Sequence, residues 1–110
     1  MFVINNEAKS FNYGGGITTK VLSNGEGLTM IESCFEAGSD APLHAHSNEQ
    51  TGYVIKGKFE FEIDGKKTVL SEGDSFYVEP NLSHGCKALE DSIFLDVFSP
   101  ARKDFLEKIK

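Results

Sequence analysis

Residues that form turns recur along this chain about every ten residues, and this spacing restricts the fold more than any other feature. The turn signals are Asn12–Gly16, Ser23–Gly27, Ala37-Gly38, Lys56–Lys58, Asp64-Gly65 and Ser71–Asp74. The segments between them are rich in Thr, Ile, Val and Phe and show no long helical pattern. Eleven glycines and nine phenylalanines supply tight turns and bulky interior side chains. The pattern predicts an all-β sandwich or barrel.

One hairpin is predicted in detail. The pair Asp64-Gly65 favours a type I′ turn, which needs positive φ at both central residues. The preceding segment, Phe59–Ile63, alternates apolar and acidic residues, so its three apolar side chains share one face. We therefore expect Lys66–Leu70 to pair back antiparallel with that segment.

The length of 110 residues is sufficient for one hydrophobic core but not for two, so we expect a single domain. The expected parts are N-terminal strands over residues 1–26, including Met1–Ile4 and Ile17–Leu22, a barrel over residues 27–99, and a short C-terminal helix over residues 100–110. The helix is expected because Phe105, Leu106 and Ile109 recur at helical spacing.

The formal net charge of -6 disfavours binding to a phosphate backbone, so no nucleic-acid partner is expected. No apolar run approaches the roughly 20 residues that span a bilayer, so no membrane partner is expected. The N-terminus lacks the basic region and cleavage pattern of a signal peptide. We therefore expect a cytoplasmic protein in which Cys34 and Cys86 are reduced thiols.

All three histidines lie in two strand-and-turn stretches. In an extended segment, residues two apart point to the same face, so His44 and His46 can direct imidazole nitrogens at one ion, and Gln50 continues that parity. His84 lies at the end of the second stretch, Gly73–His84, which could close the site from across a sheet. This arrangement predicts a metal site. The alternative is that the histidines only make hydrogen bonds within a core.

The two stretches resemble the two motifs of the cupin family, G-x5-H-x-H-x3/4-E-x6-G and G-x5-P-x-G-x2-H-x3-N. The first motif matches at Gly38, His44, His46 and Gly57, and the second at Gly73 and His84. The departures from the motifs are Gln50 for a carboxylate, Glu79 for proline, Asn81 for glycine and Ala88 for asparagine. The resemblance covers residues 27–99 and implies a single-domain cupin, a jelly-roll β-barrel. It implies one divalent metal ion, held by His44, His46, Gln50 and His84.

Gln50 makes this ligand set neutral. Three imidazoles and an amide leave the full divalent charge on the ion, whereas a carboxylate would cancel part of it. Such a site favours anionic ligands and stabilises negative charge that develops on oxygen, which is Lewis-acid chemistry. Zn²⁺, Ni²⁺, Mn²⁺ and Fe²⁺ all tolerate these ligands, so the identity of the metal is open.

Two neighbours of the expected ligands need separate interpretations. Glu49 has the opposite parity to Gln50, so we expect its side chain to point away from the ion. Cys86 lies two residues after His84 and would face the same side of a continuing strand. We interpret it as a small buried hydrophobe, and the alternative is a ligand or reactive thiol.

Asp96 is the one charged residue in the apolar run Ser92–Pro100, where an unpaired carboxylate costs several kcal/mol. By parity it shares a face with Phe94 and Phe98, and on the lumen side of a barrel it would look toward the metal. Desolvation would then raise its pKa and suit it to proton transfer. The alternative is a structural ion pair, for example with Arg102.

The same run has apolar residues on both strand faces, so both faces must be covered. One face is the lumen. We expect a second subunit to cover the other face, which predicts a homodimer. The alternative is cover by the N-terminal strands.

The tail from Leu95 to Leu106, together with His-x-His-x3-Gln, is similar to the small pectin-degradation cupins that linearise 4,5-unsaturated uronates. This resemblance implies that Asp96, Phe98 and Arg102 surround the substrate. It assigns proton transfer to Asp96, a carboxylate clamp to Arg102 and packing on the sugar to Phe98. The expected function is metal-dependent ring opening of an anionic monosaccharide from pectin or alginate breakdown.

Two other functions stay open at this point. A metal-dependent dioxygenase could use the same barrel, because a fold alone does not decide function. A cupin that binds a small ligand without turnover is the second alternative. The same tail also occurs in uncharacterised single-domain cupins, so it indicates a subfamily better than a substrate.

Overall fold

The computed structural model describes all 110 residues. Ten strands form two antiparallel sheets, and one short α-helix follows them. The elements are β1 (Ser10–Gly14), β2 (Ile17–Asn24), β3 (Thr29–Phe35), β4 (Asp40–His44), β5 (Glu49–Lys56), β6 (Lys58–Ile63), β7 (Lys66–Ser71), β8 (Ser75–Val78), β9 (His84–Ala88), β10 (Ser92–Ser99) and α1 (Lys103–Glu107). One sheet has the order β1-β2-β3-β10-β5-β8, and the other has the order β4-β9-β6-β7. The all-β prediction with a short C-terminal helix is confirmed.

The two sheets pack face to face through an aromatic core. Phe59 comes from the four-stranded sheet and is fully buried. Its ring centroid lies 5.1 Å from that of Phe35 and 5.2 Å from that of Phe94, both on the six-stranded sheet. Rings at these distances add favourable edge-to-face and tilted contacts to the hydrophobic gain of burial.

The predicted hairpin joins β6 and β7. Asp64 and Gly65 have φ values of 51° and 79°, as a type I′ turn requires. Ile63 pairs with Lys66 across the turn, and the register then continues without a bulge. Phe59 and Phe61 point into the core from this hairpin, as the alternation predicts.

The prediction of a strand over Met1–Ile4 is wrong. This segment pairs with no strand, and a 3-10 turn over Asn5–Glu7 follows it. Met1 and Phe2 are 83% and 96% exposed, so the short apolar run buries almost nothing. The first strand is β1, and it includes part of Asn12–Gly16, the segment that was expected to be a turn.

Strand β10 lies in the middle of the six-stranded sheet, between β3 and β5. Its side chains Phe94, Asp96 and Phe98 are buried, whereas those between them are only half-buried on the outer face. The N-terminal strands β1 and β2 extend the same sheet at its edge. They therefore do not lie over the outer face of β10.

The helix α1 packs on the six-stranded sheet through Phe105, which is 5% exposed. The Phe105 ring lies 5.4 Å from the ring of Phe11 and 5.8 Å from the ring of Phe98. This packing places the segment before the helix at one end of the barrel lumen.

No helix in the structure has both the length and the apolar character to span a membrane. Cys34 and Cys86 are free cysteines. The cytoplasmic location and the absence of a nucleic-acid partner stay predictions.

Candidate metal centre

Three imidazoles meet at one end of the lumen. His44 ends β4 and pairs directly with His84, which begins β9, while His46 lies in the connection to β5. The potential ligand atoms of these three residues all lie within 4.8 Å of one another. Pro42 lies inside β4, where its missing N–H is tolerated because β4 is an edge strand. The structure thus brings together the three histidines that the sequence assigned to one site.

A backbone carbonyl accepts from one nitrogen of each ring. The Nδ1 atoms lie 2.8 Å from Pro42 O for His44, 3.0 Å from Asn48 O for His46 and 2.8 Å from Leu82 O for His84. A carbonyl can only accept, so each Nδ1 carries the proton and each Nε2 keeps a free lone pair. This is the tautomer in which a histidine binds a metal through Nε2.

The electrostatics keep two of these rings neutral. Burial lowers the pKa of His84 to about 4, and it also lowers the pKa of His46. The positive charge of Arg102 lowers both pKa values further. The Nε2 atom of His84 is buried and has no hydrogen-bond partner. A buried lone pair without a partner is costly, and a bound cation would satisfy it.

Gln50 points into the lumen from β5 and is 6% exposed. Its Oε1 atom lies 3.1 Å from Nε2 of His46, and its Nε2 atom donates to Oδ2 of Asp96 at 2.9 Å. Because His46 carries its proton on Nδ1, the first contact brings together two atoms that both offer lone pairs. A metal ion bound by both atoms fits this arrangement.

Glu49 lies on the opposite face of β5, as its parity predicts. Its side chain is exposed, and the hydroxyl of Tyr77 donates to its Oε1 at 2.9 Å. Glu49 therefore points away from the imidazoles.

Asp96 is 2% exposed and faces the lumen. Desolvation raises its pKa well above the ordinary value, while the hydrogen bond from Gln50 and the charge of Arg102 act in the opposite direction. Its Oδ1 atom is buried without a hydrogen-bond partner. No hydrogen bond joins Asp96 to Arg102, so the structural ion pair considered as an alternative does not form.

Arg102 pairs instead with Asp104. Its Nε atom lies 3.0 Å from Oδ1 and its Nη2 atom 2.9 Å from Oδ2 of that carboxylate. The guanidinium carbon lies 4.7 Å from the ring centroid of Phe98 and 3.8 Å from that of Phe105. The Phe98 ring also packs at 5.6 Å against the His46 ring. Arg102 and Phe98 therefore lie beside the imidazoles, and their expected contact with a substrate stays a prediction.

Sequence reasoning missed two residues at this end of the lumen. Asp104 binds the side of the Arg102 guanidinium. A carboxylate two residues after an arginine could have indicated this ion pair in the sequence. Tyr13 lines the lumen together with Gln50 and His84. Burial raises the pKa of Tyr13 and the nearby charge of Arg102 lowers it. Its position in a glycine-rich turn gave no sign of this role.

The lumen beneath the imidazoles has a volume of about 50 Å³. This is well below the roughly 150 Å³ of a cavity that accepts benzene, so a monosaccharide does not fit inside it. Cys86 lies in the wall, where burial strongly raises the pKa of its thiol. The thiol is therefore neutral, and Cys86 acts as a small buried hydrophobe.

Comparison with known proteins gives consistent matches. The profile of the cupin domain family matches residues 31–98. The chain is 36% identical over 107 residues to the pectin degradation protein KdgF of Dickeya dadantii, covering 96% of this chain and 97% of that protein. The structure of KdgF from Halomonas sp. has a TM-score of 0.90 at 38% identity and covers 94% of this chain and 96% of that chain. An RmlC-like cupin from Shewanella frigidimarina has a TM-score of 0.91 at 36% identity, covering 94% of both chains.

Proposed function

This chain belongs to the cupin family, and on that basis we propose that it is an enzyme that opens the ring of 4,5-unsaturated uronates from pectin or alginate breakdown. The near full-length similarity to a pectin degradation protein supports this function. The observation that carries it is the position of Arg102, a cation next to three imidazoles and a neutral amide. This site attracts a sugar that bears a carboxylate.

The proposed ligands of one divalent ion are His44, His46, Gln50 and His84. The chemistry that the ion supplies when bound is Lewis-acid stabilisation of negative charge on a substrate oxygen. Elemental analysis of purified protein tests the ligand set. His46→Ala and His84→Ala should each lose the metal, and unchanged metal content in both variants would contradict the assignment.

Arg102 binds the substrate carboxylate in this proposal. Asp104 occupies the side of the guanidinium that carries Nε, so the substrate would meet the end formed by Nη1 and the second proton of Nη2. That end can still form two parallel charge-assisted hydrogen bonds. Phe98 is 3% exposed, so it supports the Arg102 and His46 side chains rather than offering an open face to the sugar.

Asp96 carries the proton. Ring opening breaks the bond between the anomeric carbon and the ring oxygen, the anomeric hydroxyl loses a proton, and a carbon of the former double bond gains one. The reaction is an isomerisation, so one carboxyl group that takes and returns a proton is sufficient. Burial raises the pKa of Asp96, and a raised pKa lets the carboxyl group hold a proton as well as release it. Because the lumen is small, only the reacting end of the sugar would enter it beside Asp96, and the rest of the sugar would lie at the mouth.

The test is the loss of ultraviolet absorbance of the unsaturated uronate, measured with metal-loaded protein against spontaneous ring opening. Oxygen uptake is followed in the same samples. Faster loss of absorbance without oxygen uptake supports the proposal. Oxygen uptake would instead favour a dioxygenase, and binding without turnover would favour a ligand-binding cupin.

A homodimer through the outer face of β10 is the proposed assembly. Leu95 and Val97 are half-buried there, and on the neighbouring strand Tyr53 and Ile55 are 49% and 37% exposed. A second copy of the chain would cover these apolar side chains with an identical face, as a two-fold interface requires.

A further inference from the structure

The carboxamide of Gln50 lies between two groups, and with an ion bound at His46 it must offer an oxygen on that side and an N–H on the other. On one side, Nε2 of His46 offers a lone pair 3.1 Å from Oε1 of Gln50. On the other side, Oδ2 of Asp96 accepts a hydrogen bond from the Gln50 Nε2 atom at 2.9 Å. An amide meets both requirements, because its oxygen can bind an ion while its nitrogen donates.

The orientation of this amide depends on Asp96. A carboxamide can turn by 180° and exchange its oxygen and nitrogen with little change in shape. Against an ionised Asp96, which can only accept, the reversed amide of Gln50 would place Oε1 against Oδ2, two oxygens with lone pairs in a buried site. It would also direct an NH₂ group, which cannot bind a metal, at His46. The contact with Asp96 therefore disfavours the reversed orientation.

Gly52 leaves room for the contact between Gln50 and Asp96, because it has no side chain. Gly52 is paired directly with Asp96 across β5 and β10, and Gln50 is its diagonal neighbour. A Cβ at position 52 would collide with Oδ1 of Asp96 and with the ring of Phe76. The absence of a side chain at Gly52 thus allows the Asp96 carboxyl group to lie flat against β5, within reach of Gln50.

We propose that Asp96 is a positioning residue of the metal centre, which holds the Gln50 oxygen toward the imidazoles and so fixes a neutral fourth donor. This inference rests on the proposed ligand set. It also explains why a glutamate is unsuitable at position 50. The carboxylate introduced by Gln50→Glu could not donate to Asp96, and the two carboxylates would repel each other in a buried site.

The first test is titration of the chelator-treated full chain with Zn²⁺ alone. Asp96→Ala frees the Gln50 amide, and we expect the Kd for Zn²⁺ to rise by about 10- to 100-fold, the usual effect of losing a group that orients a ligand. Asp96→Asn keeps an oxygen that can accept from Gln50, so it should bind Zn²⁺ more tightly than Asp96→Ala. The matched control is Ser33→Ala, because Ser33 is buried in the same lumen but bonds to Thr19. Equal Kd values for parent, control and Asp96→Ala would overturn the proposal.

The second test remains decisive if Asp96→Ala does not fold. Gln50→Glu alone places two carboxylates together, whereas Gln50→Glu with Asp96→Asn restores one donor and one acceptor with reversed polarity. In metal-free protein, we expect Asp96→Asn to raise the melting temperature more in the Gln50→Glu background than in the parent. Equal shifts in the two backgrounds would mean that the residues are not coupled, which would overturn the proposal.

These measurements contain no sugar, so they separate the inference from the proposed function. The expected Zn²⁺ affinities without uronate turnover by the parent would leave the positioning role intact and reject the enzyme. Uronate turnover by the parent, with no effect of Asp96→Ala on Zn²⁺ affinity, would keep the enzyme and reject the positioning role.

Discussion

Asp104 binds Arg102 along the side of its guanidinium, where Nε donates to Oδ1 at 3.0 Å and Nη2 donates to Oδ2 at 2.9 Å. The Arg102 side chain is 12% exposed, whereas that of Asp104 is 59% exposed. The carboxylate therefore lies on the solvent side, and the N–H groups of Nη1 and the second N–H of Nη2 are left for another partner.

Asp104→Asn should weaken substrate binding more than turnover. Loss of the charge leaves Arg102 less well oriented, and an exposed ion pair of about 1 kcal/mol corresponds to a rise of about fivefold in KM. Steady-state kinetics with the unsaturated uronate measures this change. Glu107→Gln is the matched control, because it removes the exposed ion pair with Lys110 in the same segment. An equal rise in KM for both variants would point to a general effect of surface charge.

Arg102→Ala should raise KM by about 10- to 100-fold, because the proposed charge-assisted pair with the substrate carboxylate would be lost. Arg102→Lys should restore little, since an ammonium group cannot reproduce the planar fork or stack on Phe98 and Phe105. Full recovery by lysine would show that only the charge matters.

Asp96→Asn should reduce kcat by about 10²- to 10⁴-fold with little change in KM, because the amide cannot carry the proton. Metal content should be kept, since an amide oxygen can still accept from Gln50. The measurement is turnover of metal-loaded protein together with elemental analysis. A variant with parental kcat would remove Asp96 from the chemistry.

The metal-free protein should lose stability as the pH falls from about 6.5 to about 4. Burial lowers the pKa of folded His84 to about 4 from its ordinary value of 6.5, so the unfolded chain takes up a proton first. The contribution of His84 to the free energy of unfolding is therefore fully present above pH 6.5 and fully lost below about pH 4. Urea unfolding across this range measures it. His84→Gln should flatten the pH dependence, and an unchanged slope would contradict this origin.

Leu95→Glu should convert the proposed dimer into a monomer, because it places a charge in the apolar outer face of β10. Sedimentation should show about twice the monomer mass for the parent and the monomer mass for the variant. Val69→Glu is the control, since Val69 is 52% exposed on the other sheet. A parent that sediments as a monomer at micromolar concentration would reject the interface.

Side-chain parity made much of the site predictable from the sequence. In strands the alternation has a period of two, so Gln50 and Glu49 could be assigned to opposite faces before the fold was known. The hairpin at Asp64-Gly65 was equally predictable, because the turn type restricts the residues that form it. These features depend on local geometry, which a sequence encodes directly.

Other features depend on contacts between distant segments. The apolar run Met1–Ile4 resembles a strand, but the sequence does not show whether a partner strand is available. The same limitation hid Tyr13, which reaches the lumen only because the N-terminal hairpin extends the six-stranded sheet. The bond between Gln50 and Asp96 joins residues 46 positions apart, so parity placed both in the lumen without revealing that they touch.

The close approach at Gly52 has a consequence for mutational scanning of this chain. Its backbone φ lies in the range open to every residue, so no conformational requirement for glycine applies there. A saturation library should nevertheless be depleted of every alternative at this position, alanine included, because Asp96 and Phe76 fill the space that a side chain needs. The depletion should be relieved when Phe76 is shortened in the same library. A glycine required by its neighbours in this way can be distinguished from a turn glycine such as Gly65, where no second substitution would help.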